Sequence, residues 1–231
     1  MAKASPKLTR KNILILVVLP LLIVLTYFFF SYKGNFNLSS EPKNQSIKIK
    51  LAQGNVQISY STTGELQGAY NSGIVPAFHP RSLTFYALQG NFYAAIPNSS
   101  AVDIDIQTLQ GSVIVDTGET QISSTKLNVG QGNILFVPSN RVSSNHDVSI
   151  KQGNLSIIVP YGVDGLRFDT QGKKFPELDK ADNYSYVNSG YQSAGFDDAS
   201  ITAVLKLSGS PKITSIKLLT DEETQKAYIS K

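Results

Sequence analysis

The sequence predicts an all-β chain: a β-solenoid of about 20-residue turns preceded by one N-terminal transmembrane helix. Three observations carry this. A tripeptide recurs at a fixed period. Apolar residues recur at fixed offsets from its glycine. A continuous apolar run lies near the N-terminus.

The apolar run spans residues 13–32, ILILVVLPLLIVLTYFFFSY. About 20 apolar residues in a helix cross a bilayer core. Pro20 inside the run is tolerated in a membrane helix, and Tyr27 and Tyr32 fall where interfacial aromatics are expected. A cleaved signal peptide would need a small-residue site after a shorter run; here the run ends in Phe28-Phe29-Phe30. Residues 1–12 carry Lys3, Lys7, Arg10 and Lys11 and no acid. These four cations account for the whole formal charge of +4, and beyond Tyr32 the 17 basic and 17 acidic residues balance. Positive residues stay on the cytoplasmic side. The expected arrangement is therefore a cytoplasmic tail (1–12), a single-pass membrane span (13–32), a polar linker (33–46) and an extracytoplasmic domain (47–231). The balanced outer domain predicts no nucleic-acid partner. Cysteine is absent, which rules out thiol catalysis, zinc–thiolate and iron–sulfur sites on this chain.

From Ile47 onward, apolar and polar residues alternate, the period of a strand. The tripeptide reads Gln53-Gly54-Asn55, Gln89-Gly90-Asn91, Gln110-Gly111-Ser112, Gln131-Gly132-Asn133 and Gln152-Gly153-Asn154, the last four copies starting 21 residues apart. Five residues before the glycine stand Ile49, Phe85, Ile106, Leu127 and Val148. Two residues after it stand Val56, Phe92, Val113, Ile134 and Leu155, and four after it Ile58, Ala94, Val115, Phe136 and Ile157. Alternate residues of a strand share a face, so these sets would stack into apolar columns. Gly54, Gly90, Gly111, Gly132 and Gly153 then mark corners, since glycine accepts backbone angles that other residues do not. Gln67-Gly68, Gln171-Gly172 and Ser208-Gly209-Ser210 are weaker copies, as terminal repeats are expected to be. Thr220-Asp221-Glu222-Glu223 matches a capping box and predicts a short helix near 221–229.

Repeated Gly-Asn/Ser-apolar turns behind a membrane anchor resemble the "putative adhesin" or toast-rack domains, over roughly residues 47–219. The resemblance implies a bent β-solenoid on the outer side of a prokaryotic membrane. It brings no catalytic residues. The consistent Gln before the glycine departs from the family's usual turn.

Catalytic and cofactor chemistry is sparse. His79 and His146 lie in the contexts AFHPR and SNHDV, outside any H-E-x-x-H pattern, and read as surface loop residues. No G-x-S-x-G elbow supplies a nucleophile. Asp103 and Asp105 share one solvated strand face, opposite Val102, Ile104 and Ile106. No phosphate loop or calcium loop is present. The expectation is no enzyme, no cofactor and no metal. Tyr161, Tyr184, Tyr186 and Tyr191 form a candidate partner surface, or alternatively cap the stack. Asn37, Asn44, Asn98, Asn154 and Asn183 begin N-x-S/T sequons, candidate glycan acceptors in a glycosylating host.

The functional expectation is a membrane-anchored surface protein, an adhesin or scaffold binding an envelope protein or polysaccharide. Oligomers would form if end strands pair. The alternative is an envelope-stress sensor acting through a membrane partner, since a 12-residue tail holds no output domain. Residues 60–82 and 161–200, where the repeat fails, are the expected place for any localised function.

Overall fold

Burial alternates along the residues 46–61, and the alternation changes phase at the glycine. Ile47, Ile49 and Leu51 are buried before Gly54, Val56 and Ile58 after it. A straight strand would turn the second set outward. The corner at Gly54, with φ of 145°, keeps both limbs facing one core. The same change occurs around Gly132 and Gly153, with φ of 148° and 137°.

The computed structural model describes residues 20, 32–38, 46–72, 78–79, 82–160, 163, 165–175, 183–209 and 214–219. The basic tail, the apolar run other than Pro20 and Tyr32, and the predicted C-terminal helix lie outside the described residues. Among the described residues no helix is long and apolar enough to cross a membrane.

Fourteen strands follow in order. They are β1 (Tyr32–Leu38), β2 (Ser46–Ser61), β3 (Leu66–Ser72), β4 (Phe78–His79), β5 (Ser82–Pro97), β6 (Asp103–Gln110) and β7 (Val113–Asp116). Then come β8 (Ser124–Val137), β9 (Ser144–Ile158), β10 (Gly165–Asp169), β11 (Tyr184–Val187), β12 (Gly190–Ser193), β13 (Thr202–Gly209) and β14 (Thr214–Leu219). Among the described residues a 3-10 turn spans Phe196–Asp198. The all-β class is as expected. The segment read as a linker differs, because Tyr32–Leu38 is a strand paired antiparallel with β3.

The sheet is not a simple solenoid. Its parallel strands run β5-β2-β6-β8-β9-β13-β10. Successive 21-residue turns stack in chain order only through β6, β8 and β9, where Ile106 pairs Leu127 and Leu127 pairs Val148. At one end β5 lies outside β2, so Gly54 has Gly90 on one side and the β6–β7 corner on the other. At the other end β13 inserts between β9 and β10. Antiparallel strands close both ends: β3 and β1 beyond β5, and the β12–β11 hairpin beyond β10. Three expected copies are therefore not corners. Gly68 sits in antiparallel β3. Gly209 pairs with Ile150, three residues ahead of the Gly153 corner. Gln171-Gly172 is a turn after β10, with φ of 53° and 80°.

The five glycines line up through register, and contact makes Gly54, Gly111, Gly132 and Gly153 obligatory. A Cβ on Gly132 would fall on the carbonyl oxygen of Gly111, and one on Gly153 on that of Gly132. The asparagines stitch the same edge. Asn91 Oδ1 accepts the Asn55 N–H at 3.0 Å, and Asn55 Oδ1 accepts the Ser112 N–H at 3.0 Å. Asn154 Nδ2 donates to Asn133 Oδ1 at 2.9 Å. Backbone groups at a corner leave the strand ladder, and the side-chain amides supply the partners that buried or bent backbone needs.

The columns fill one core from Phe36 to Leu207. Aliphatic side chains dominate its middle. Aromatics close its ends: Phe85 lies 5.1 Å from Phe92 and Phe92 5.7 Å from Phe36 at the first, while Phe168 lies 6.0 Å from Tyr184 at the other. Large rings there cover the last apolar rung that no further turn would bury.

Candidate interaction surface

Register stacking makes rows on the outside as well as columns within. Six residues before each corner glycine stand Lys48, Thr84, Asp105, Lys126 and Asp147. Across the parallel strands Lys48 pairs Asp105, Asp105 pairs Lys126, Lys126 pairs Asp147, Asp147 pairs Lys206 and Lys206 pairs Asp169. Charge alternates at every rung for six strands. Strands lie about 4.8 Å apart, so each charge has opposite neighbours at that spacing and like charges two rungs away. Like charges directly opposite destabilise a sheet, and alternation avoids this. None of the six makes an ion pair within 4 Å; among the described residues that geometry occurs between Arg141 and Glu119. A shallow depression of about 750 Å³ lies over the row, lined by Lys48, Asp105, Lys126, Asp147, Asp169 and Lys206 among others.

Two further rows run beside it toward the corner. The nearer carries Tyr86, Lys50, Gln107 and Asn128, with the Lys50 ammonium 5.9 Å from the Tyr86 ring centre. The farther exposes Leu88 and Leu109, 69% and 70% accessible, on either side of Ala52. A depression of about 460 Å³ joins these two rows. The outer face thus has an apolar end at β5, β2 and β6, and a charged stripe crossing β2, β6, β8, β9, β13 and β10. The alternation was visible in the sequence, because Asp105, Lys126 and Asp147 recur at 21 residues. The Lys206 and Asp169 rungs were not, because they follow the swapped strand order.

His146 is not a surface loop residue. It stands in β9, 2% exposed, in an inner column with Ile104 and Thr125. Its Nδ1 shares a 3.0 Å hydrogen bond with the Thr125 hydroxyl, and Phe136 meets its ring edge-on at 4.6 Å. The Nε2 atom is buried without a polar partner. Burial pushes its pKa down from 6.5 to about 3, so the ring is neutral in the fold. His79 lies in the two-residue β4.

The tyrosines divide. Tyr191 is buried; its hydroxyl accepts the Phe175 N–H at 3.1 Å. Tyr184 is half-buried, with its pKa raised to about 12 by burial. Tyr186 is exposed, edge-on to Tyr191 at 5.1 Å, with the Lys174 ammonium 5.6 Å above its ring. Tyr184 and Tyr191 therefore cap the core, and Tyr186 alone of the three presents a ring to solvent. Tyr161 lies outside the described residues. Tyr191→Ala is expected to cost about 3–5 kcal/mol in stability and Tyr186→Ala under 1, compared by chemical denaturation.

Asn37, Asn98, Asn154 and Asn183 are all exposed. Asn37 donates to Glu65 Oε2 at 2.7 Å, and Asn98 starts the turn after β5. Asn44 lies outside the described residues. Asp103 and Asp105 point out of β6 while Val102, Ile104 and Ile106 point in, as their alternation requires. One buried carboxyl escaped the sequence reading. Asp116 has its pKa raised by burial, against a hydrogen bond from the Gly118 N–H and with a further push from Glu119. Among the described residues no group of three His, Asp or Glu side chains is placed to hold a metal ion.

No protein-family model and no curated protein matches the sequence. A crystal structure of a "putative cell adhesion protein" from Clostridium sporogenes matches the fold with a TM-score of 0.59 at 8% identity. The match covers 82% of this chain and all of that one. At that identity the likeness is one of fold.

Proposed function

We propose that this protein is a non-enzymatic surface protein, held in the cell membrane by residues 13–32 with its N-terminus inside, that binds an envelope protein or polysaccharide through its outer sheet face. One observation carries the reading. The face before the corners sets exposed Tyr86, Leu88 and Leu109 beside a row of regularly spaced charges, over strands fixed by a continuous core. Rigid, repeated contact positions suit binding to an extended partner. Large exposed apolar side chains grouped on one face are a mark of interaction sites. The fold likeness to a "putative cell adhesion protein" supports the same reading. The turns of β6, β8 and β9, stacked in chain order, form a short solenoid segment that repeats such positions at a fixed spacing.

The test replaces Tyr86, Leu88 and Leu109 together by Ser in the full chain. Attachment of cells to surfaces or to isolated envelope polymer should fall at least about threefold, while the melting temperature stays within a few degrees. Attachment equal to that of the parent, in a stable variant, would refute the reading.

A further inference from the structure

The charged row has a symmetry that its role within the chain does not require. Numbered across the sheet, Lys48, Asp105, Lys126, Asp147, Lys206 and Asp169 read plus, minus, plus, minus, plus, minus. Reversing the order exchanges every sign. A two-fold axis parallel to the strands, lying between β8 and β9, would place a second copy face to face in that reversed order. Lys48 would meet the partner copy's Asp169 position, Asp105 its Lys206 position, and Lys126 its Asp147 position. All six rungs then oppose unlike charge.

We propose that this face is a homodimer interface, with a second copy of the chain as its occupant. The rows alongside accept the same operation. Two residues nearer the strand starts, Ser46 lies over Arg167, Asp103 over Val204 and Ser124 over Asn145. No like charges meet there. The other in-plane two-fold, along the row, would set each charge on its own copy and is rejected by repulsion at every rung. An isologous interface needs self-complementarity of this kind. Six strands spanning about 24 Å and some eight residues at about 3.3 Å make a face of roughly 600 Å² per copy. That is at the small end for specific complexes, so the dimer is weak and salt-sensitive.

The six overlapped strands leave Tyr86 and Leu88 on β5 outside the dimer face, so the adhesion reading and this proposal fail separately. The chain has no cysteine, which makes cross-linking clean. Full-length chains carrying Ser46→Cys and Arg167→Cys are differently tagged, co-expressed in one membrane, and treated with a bis-maleimide spanning about 10 Å, the face-to-face distance of packed sheets. The mixed pair should cross-link at least about fivefold more than either variant alone, since two Ser46 positions would lie roughly 24 Å apart. Salt at about 0.5 M should abolish the difference. Ser46→Cys cross-linking to itself as strongly, or no cross-link in any pairing, would overturn the proposal.

A second arm separates association from folding. Inverting all six charges keeps the alternation within the chain, and the same cysteines are placed on both backgrounds. Parent should pair with parent and inverted with inverted, but parent with inverted should fall to background. Equal cross-linking of all three combinations would equally overturn it.

Discussion

Gly132→Ala should destabilise the sheet severely. A methyl group there falls on the Gly111 carbonyl oxygen, and φ of 148° is a conformation that alanine rarely adopts. The atom it strikes is backbone of the adjacent turn, so relief requires separating β8 from the neighbouring corner. Overpacking and backbone strain each cost about 1–3 kcal/mol, and here they combine with the loss of ladder hydrogen bonds on both sides. A loss above about 4 kcal/mol is expected, a large share of a typical domain's stability. Gly64 supplies the control. Nothing lies within 4 Å of a Cβ built on it, and its φ is ordinary, so Gly64→Ala should be nearly neutral. Urea denaturation followed by far-ultraviolet circular dichroism compares the two. Equal midpoints would mean that the corners do not touch.

The second large effect is a loss of stability in mild acid, with His146 as its source. The folded pKa near 3 lies below the unfolded value of about 6.5. Below pH 6.5 the unfolded chain binds a proton that the folded chain refuses. Stability is therefore complete above pH 6.5 and falls as pH drops, at about 1.4 kcal/mol per unit, until the folded ring titrates. The other shifted carboxyls act elsewhere. Glu65 and Glu119 have lowered pKa values, from hydrogen bonds to Asn37 and Gln67 and to Asn140 and Arg141 respectively, so their contribution is lost only as pH falls below about 4.5. Asp116, with a raised pKa, works in the opposite direction, favouring the fold as it protonates. Thr125→Val with His146→Leu restores an apolar column and removes the buried, unpartnered Nε2. The double variant should be flat between pH 6.5 and 5, where the parent loses about 2 kcal/mol. Parallel slopes for the two proteins would contradict the assignment.

Much of the inside of this fold was legible in the sequence. The residues at fixed offsets from Gly54, Gly90, Gly111, Gly132 and Gly153 are buried as the period required, because stacking in register forces equivalent positions into one column. Strand order was not legible. The 36 residues between Gln53 and Gln89 signalled an irregularity, but period alone cannot say that β5 would pass outside β2. The antiparallel β1 was hidden for a similar reason. Residues 33–38 have the composition of a linker, and they become a strand because β3 offers them an unpaired edge. His146 was misread from its polar neighbours Asn145 and Asp147. Those face outward by strand alternation, which is what places the ring between them inside.

The candidate surface was legible only in part. The tyrosines looked like one cluster, yet Tyr191 packs at 1% exposure with its hydroxyl on the Phe175 backbone, and Tyr186 is left outside. Exposed Leu88 and Leu109 were in plain view as apolar residues just before the corner, but their exposure needed the phase of the strand. The charged row needed the swapped order of β13 and β10 before its two last rungs could be read.

The arrangement of β2 between β5 and β6 underlies every outer row described above, and one pair of cysteine variants tests it. Lys50 is the register partner of both Tyr86 and Gln107, whereas Tyr86 and Gln107 are two rungs apart. Neighbouring strands lie about 4.8 Å apart, within the 4.4–6.8 Å that a disulfide tolerates between Cα atoms, and two rungs exceed it. Under mild oxidation Lys50→Cys/Gln107→Cys should form an intramolecular disulfide, and Tyr86→Cys/Gln107→Cys should not. The reverse result would mean that the turns stack in simple chain order and would contradict the fold on which the surface rests.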